Sequence, residues 1–362
     1  MNDDLLRYKY RFITFVLLLG YAFIHTSLTG VYVDATFDKL INFSVRLPFG
    51  QRLLVPALAD LLAHFLPLAI DKLFFLLELL FISLFYFSLR KLLQQEFKTE
   101  VAQLLSWLFI LLLPLMTVVN YRYTSNGEAT FFYPNDTASL FFMTLGFLFC
   151  LRSQWLYLIP WIFLATFNRE SSILLVLMIP ALHWQKFSSV LKPMFFAFLA
   201  YILARFLVLT FLNGVPGQLM EWYFRKSSHT YFEVNLLWLF SKQNILLFMY
   251  CFAGLPLLWF AFYDFIPLRY RPLRYVAFLY FIALLLVGNF MEARIFIEIM
   301  VLLYLPVCLA LSRWLSEQKP IFSDLRGLAC YLDRYLILAL LLLIAILRHP
   351  LDLGVIWLSH QL

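Results

Sequence analysis

"LFFLLELLFISLFYFSL", residues 73–89, carries one charge, Glu78, among otherwise apolar side chains and two serines. Its apolar residues run on without alternating with polar ones. A spanning strand would be about ten residues of alternating hydrophobicity, so the run reads as a helix. In hydrocarbon the backbone must satisfy its own hydrogen bonds, which leaves helix bundles or closed barrels, and runs of this kind select the bundle. Glu78 sits deep in it, as an intramembrane carboxylate that either lines a cavity or bridges helices.

The rest of the chain repeats the pattern. Of 362 residues 63% are hydrophobic and 14% charged, with a mean hydropathy of +0.84. A soluble domain has roughly 45–50% apolar and about 25% charged residues. The class is therefore all-α, a polytopic transmembrane helix bundle forming one integral membrane domain over 1–362. The net charge of +7 comes from 28 Lys and Arg against 21 Asp and Glu. It fits basic cytoplasmic loops under the positive-inside rule better than nucleic-acid binding, which is not expected. Cys150, Cys251, Cys308 and Cys330 show neither CxxC nor Cys/His spacing. They read as small apolar fillers rather than as a disulfide framework or zinc site. The basic start "LRYKYR" leads into an apolar run with no A-x-A pattern after it, which reads as an uncleaved first span.

Apolar stretches lie near 12–33, 73–89, 101–120, 136–151, 154–167, 172–185, 192–213, 244–264, 273–290, 295–313 and 335–347, giving about 11 spans. Basic clusters at 7–11, 90–98, Arg152, Lys186 with Lys192, 269–274 and 313–334 fall on alternate connections, which makes that face and the N-terminus cytoplasmic. This register needs 52–70 to lie in the interface as an amphipathic helix. Asp60 and His64 at i, i+4, with Pro56 and Pro67, fit that; one more span is the alternative. The extracytoplasmic face then receives a first loop over 34–72, the loop 122–136, "NRES", a possible flap over 214–243 and "NFMEAR".

The polar words on that face are the candidate site. "GVYVDATFDKL" places Asp34 and Asp38 after the first span. Two carboxylates at that spacing suit a general base or a divalent cation, or they are ordinary loop acids. Arg46 and Arg52 flank a Pro-Phe-Gly turn in "RLPFGQRLLVP". Arginine forks match phosphate oxygens, and interfacial snorkelling is the alternative. "FFYPNDTASLFF" gathers Tyr133, Asn135 and Asp136 at the mouth of a span, with Asp136 or Thr137 as a natural N-cap. In "FNRESS" Asn168, Arg169 and Glu170 fill a very short connection, either as a site or as a turn in which Arg169 pairs Glu170 and Ser171 or Ser172 caps the next helix. "NFMEARIFIEI" supplies Glu292 and Arg294, with Glu298 one turn deeper. Two Arg/Glu words bordering lipid on one face suggest a shared charged cavity. Soluble-enzyme signatures (G-x-S-x-G, H-E-x-x-H, the P-loop, G-x-G-x-x-G) are missing.

Taken together, "YVDATFD" followed by "RLPFGQRLLVP", then "YPNDTASLFF", "NRESSILL" and "EARIFIE", resembles the GT-C-type integral membrane glycosyltransferases, in particular uncharacterised bacterial relatives. Here the first loop carries DxxxD, where many members have adjacent acidic residues. The resemblance implies a bacterial inner-membrane enzyme of the cell envelope. It would move a sugar, with inversion, from a polyprenyl-phosphate donor to a glycan, lipid or protein acceptor outside. It implies Asp34 as the general base, with Asp136 as stand-in; metal dependence stays open, with Asp34 and Asp38 as the residues that would hold a divalent cation. Arg46, Arg52, Arg169 or Arg294 would neutralise the departing lipid phosphate, and Glu170 and Glu292 would orient those arginines or bind sugar hydroxyls. Two other classes stay open. One is a transporter or lipid flippase using Glu78, Arg205 and Glu298; it would be favoured by inverted repeats, which the sequence lacks. The other is a non-catalytic envelope scaffold.

Overall fold

The structure is a computed structural model describing residues 2–119, 131–224, 227–241, 244–322, 325 and 327–361. Helices account for 77% of it, and the strands described form one two-residue parallel pair. Among the described residues seven helical stretches are long and apolar enough to cross a membrane: Tyr8–Ser27, Ile70–Leu93, Thr99–Val119, Trp184–Phe211, Leu268–Val287, Ala293–Leu315 and Leu328–Ile346. They are compatible with an integral membrane protein. An eighth span is formed if Asn244–Cys251 and Leu255–Ala261, bent by 85°, count as one.

The difference from 11 has a geometric origin. The stretches 136–151, 154–167 and 172–185 become the helices Asn135–Leu151, Trp155–Asn168 and Ile173–Leu182. At 1.5 Å per residue these reach only about 26, 21 and 15 Å, against a hydrocarbon core of about 30 Å. The stretch 244–264 breaks where Gly254 adopts φ 69°, a left-handed conformation that glycine takes without a Cβ clash. The segment 52–70 contains a 12-residue helix, Leu54–Phe65, also too short to cross.

The chain forms two compact units, one of Met1–Val176 with Ser189–Gly217, the other of Leu177–Ser188 with Gln218–Leu362. In the first unit, α1 (Asn2–Ser27) runs antiparallel to α4 (Ile70–Leu93). Thr14 meets Tyr86 at 3.3 Å near one end, and His25 meets Glu78 at 2.8 Å near the other. Between them the chain makes α2 (Phe37–Ile41), capped by the Thr36 hydroxyl, and α3 (Leu54–Phe65). Then follow α5 (Thr99–Pro114), α6 (Asn135–Leu151) and α7 (Trp155–Asn168). At Gly146 on α6 an added Cβ would lie 2.5 Å from a Leu175 methyl, so glycine is what lets these segments approach. Strand β1 (Gly30–Val31) pairs parallel with β2 (Phe131–Phe132), which brings the first loop against the start of α6. Backbone bonds from Leu53 N to the Phe167 carbonyl and from Leu47 N to the Pro216 carbonyl, both 2.9 Å, fasten the same loop at two further points.

The chain continues through α8 (Ile173–Leu182), α9 (Phe187–Phe211), α10 (Tyr231–Leu239), α11 (Asn244–Cys251), α12 (Leu255–Ala261) and α13 (Leu273–Val287). In the second unit, α14 (Ile297–Leu315) follows α13 and is buried almost along its length, as a helix apolar all round should be. By contrast α15 (Leu328–Ile346) buries no residue. In water that surface would be costly, but against lipid tails it costs little. A polar latch holds α15. Arg274 Nη2 donates to Asp333 Oδ1 at 2.6 Å, the Tyr263 hydroxyl donates to Asp333 Oδ2 at 2.8 Å, and Arg334 pairs with Asp264 at 2.8 Å.

Candidate functional site

Most of the candidate residues converge in the first unit, around the loop 28–53. Asp34 follows β1 directly. Its Oδ2 accepts from Arg46 Nε at 3.1 Å and from the Tyr32 hydroxyl at 3.3 Å. Its Oδ1 takes no hydrogen bond among the described residues, and the Asp34 side chain is 37% exposed. Burial first, then the charge of Asp34, push the Tyr32 phenol above its usual value, so it stays a donor. Asp38 lies in the first turn of α2 with its carbonyl accepting from Asn42. Among the described residues no three His, Cys, Asp or Glu side chains gather as they would around a metal ion.

An aromatic shelf lies beside this pair. Tyr32 packs on Phe49 at 5.1 Å between ring centres and on Tyr133 at 6.2 Å, and Phe49 stacks on Tyr133 at 6.0 Å. Arg46 lies 5.3 Å from the Phe49 ring centre and Arg52 lies 5.9 Å from that of Tyr133. The shelf therefore joins two arginines. Arg52 reaches on to Glu170 at 3.6 Å, and Arg205 donates to Gln51 at 2.5 Å. Burial raises the Glu170 carboxyl, but Arg52 and then Arg169 more than offset this and hold it below the usual carboxylate range. The Tyr201 hydroxyl donates to the Glu170 carbonyl at 3.3 Å. Two guanidinium donors here, Arg52 Nε and Arg205 Nη1, are buried without an acceptor among the described residues.

Behind the shelf lies a dry polar layer. Arg169 Nη1 donates to Asp136 Oδ1 at 3.2 Å, with the side chains 4% and 1% exposed. Asn168 Nδ2 donates to the Asn135 carbonyl at 3.2 Å and to Ser139 Oγ at 2.9 Å. The N-cap expectation for α6 fails here. Pro134 occupies the N-cap of α6, while the Thr137 hydroxyl donates to Glu78 at 2.5 Å and Ser172 bonds to the Thr166 hydroxyl at 2.8 Å. Nor is the turn held by a pair between neighbours. Arg169 turns to Asp136, and Glu170 to Arg52.

The expected Glu292 and Arg294 belong to the second unit. There Arg294 Nη2 donates to Glu292 Oε2, and Asn289 Nδ2 donates to Glu292 Oε1 at 3.3 Å. Glu298 accepts from the Tyr280 hydroxyl at 3.2 Å. Of the flap residues, Arg225 and Lys226 lie outside the described residues, as does 122–130 of the loop before α6; His229 pairs with Glu233 at 2.8 Å. Sequence reading missed Tyr32, Phe49 and Gln51 as site members and placed Arg205 elsewhere. The i, i+3 spacing of Tyr32 and Ala35 around Asp34 signals nothing, but the aromatic residues flanking each charged word were a usable hint.

The fold and site define a class, a helical protein suited to a membrane with a cationic, aromatic-lined cluster on its first loop. Beyond the class, the chain matches no protein-family model and no curated protein.

Proposed function

We propose that the chain is an integral membrane glycosyltransferase taking a sugar from a polyprenyl-phosphate donor to an acceptor on the extracytoplasmic side of a bacterial inner membrane. The three short apolar helices and the bent pair would complete about 11 spans by local bilayer thinning, with the N-terminus cytoplasmic. What carries the reading is Asp34. Its Oδ2 is anchored by Arg46 and Tyr32, its Oδ1 takes no hydrogen bond among the described residues, and its side chain is partly exposed. That suits a base receiving the acceptor's hydroxyl proton. The acceptor oxygen would attack the anomeric carbon opposite the lipid phosphate, whose bond to the sugar breaks. Arg52 and Arg205, each with a buried donor lacking an acceptor among the described residues, suit the charge left on that phosphate. The aromatic shelf suits a sugar face. Asp136 is the weaker base, because it is buried against Arg169.

The test is transfer in proteoliposomes supplied with a panel of polyprenyl-phosphate sugars. Asp34→Asn should lower turnover by about 100-fold or more, the usual weight of a general base, with donor KM little changed. An Arg52→Gln, Arg205→Gln double variant should raise donor KM. Undiminished turnover in Asp34→Asn would overturn the assignment.

A further inference from the structure

The first unit holds a second polar feature, built from the start of α1 and the end of α4. A cavity of about 730 Å³ opens there, within the roughly 300–1,000 Å³ typical of small-ligand sites. Its lining includes Arg11, Arg90, Tyr10, Thr14, Phe15 and Phe87 and, among the described residues, no acidic one. The Thr14 and Tyr86 hydroxyls in its wall are already used. Thr14 donates to the Tyr10 carbonyl at 2.8 Å, meets the Tyr86 hydroxyl at 3.3 Å, and accepts from the Trp107 indole at 2.9 Å. The two guanidiniums are not. Among the described residues neither Arg11 nor Arg90 has a hydrogen-bond or ion-pair partner, and Arg90 Nε is buried. A buried donor without an acceptor is costly, the more so when it carries charge.

The apolar part of the wall decides the source of the anion. Phe15 and Phe87 belong to the spanning stretches Tyr8–Ser27 and Ile70–Leu93, and they are 58% and 54% exposed on the surface that lipid chains would cover. A free phosphate would use the arginines and leave those rings without a role. A lipid uses both. We propose that this cavity binds the phosphodiester headgroup of one anionic phospholipid, with Arg11 and Arg90 on its phosphate and its acyl chains along Phe15 and Phe87. This site is separate from the Asp34 cluster and does not depend on the glycosyltransferase reading. Because α1 and α4 are antiparallel, it ties the start of one to the end of the other.

Native mass spectrometry of the full chain in neutral detergent tests it, with dioctanoyl phosphatidylglycerol, dioctanoyl phosphatidylcholine and inorganic phosphate as probes. The wild type should bind the glycerol lipid about tenfold more tightly than the choline lipid, as expected for paired guanidinium contacts to a headgroup of net negative charge. That preference should vanish in Arg11→Gln, Arg90→Gln and survive in Arg11→Lys, Arg90→Lys, which also guards against a folding defect. Lys319→Gln, at an exposed residue outside the cavity, should keep it. A preference that persists in the double glutamine variant would overturn the site. Full competition by millimolar inorganic phosphate would overturn its assignment to lipid.

Discussion

Two Arg–Asp pairs lie in the first unit and have little else in common. Arg169 and Asp136 meet at 3.2 Å with 4% and 1% of their side chains exposed. Arg46 and Asp34 meet at 3.1 Å with 35% and 37% exposed. The same two residue types at nearly the same distance thus make a buried strut and a partly exposed pair. In the strut both charges are buried, so removing either partner is costly. In the loop pair the arginine holds one oxygen of a carboxylate that stays partly exposed. Burial, rather than contact distance, separates the two pairs.

The sharpest way to break the comparison is to remove one side of the strut. Arg169→Met should cost about 3–5 kcal/mol, because it takes the guanidinium away from the buried Asp136 carboxylate. Arg169→Met with Asp136→Leu should recover much of that loss, and equilibrium unfolding in detergent reads both. If the single variant is as stable as wild type, the strut is not dry. Next in size, Arg274→Gln in the second unit should cost about 2 kcal/mol by taking the guanidinium from Asp333 and leaving it the Tyr263 hydroxyl, an intermediate case between strut and loop pair. Protease sensitivity of α15 would report it. Arg46→Gln should cost less than about 1 kcal/mol in stability, the value of a surface pair, while lowering transfer by misplacing Asp34. A stability loss as large as that of Arg169→Met would erase the distinction.

The smallest effect belongs to Glu170, whose pairing with Arg52 is worth at most about 1 kcal/mol because its side chain is 45% exposed. Its folded pKa lies below the ordinary carboxylate value, so its contribution is present above an unfolded pKa of about 4.3 and is lost as pH falls through the folded value. Glu170→Gln should therefore be slightly less stable than wild type near pH 7, with the gap closing in acid. A gap that stays constant to low pH would show that the charge is not what stabilises.

Helical class and membrane compatibility were legible in runs such as 73–89, since their composition leaves no other way to satisfy a backbone in lipid. The charged words were legible as well, because a buried or interfacial charge stands out in an apolar chain. The number of spans was not. The stretch 154–167 becomes a helix of the same length, Trp155–Asn168, which ends at Asn168, whose side chain is bound to Asn135 and Ser139. The extent of an apolar run does not by itself decide whether so short a helix crosses.

From its sequence alone, then, this protein was bound to be a helical bundle with charges beside Asp34, Arg52, Asp136 and Arg169. Only the tertiary structure decided the partners. Arg169 passes over the adjacent Glu170 for Asp136, 33 residues away, and Arg205 reaches Gln51 across 154. Sequence spacing ranks neighbours along one helix, but a charge expelled from water takes the nearest counter-group in space, wherever the chain has carried it.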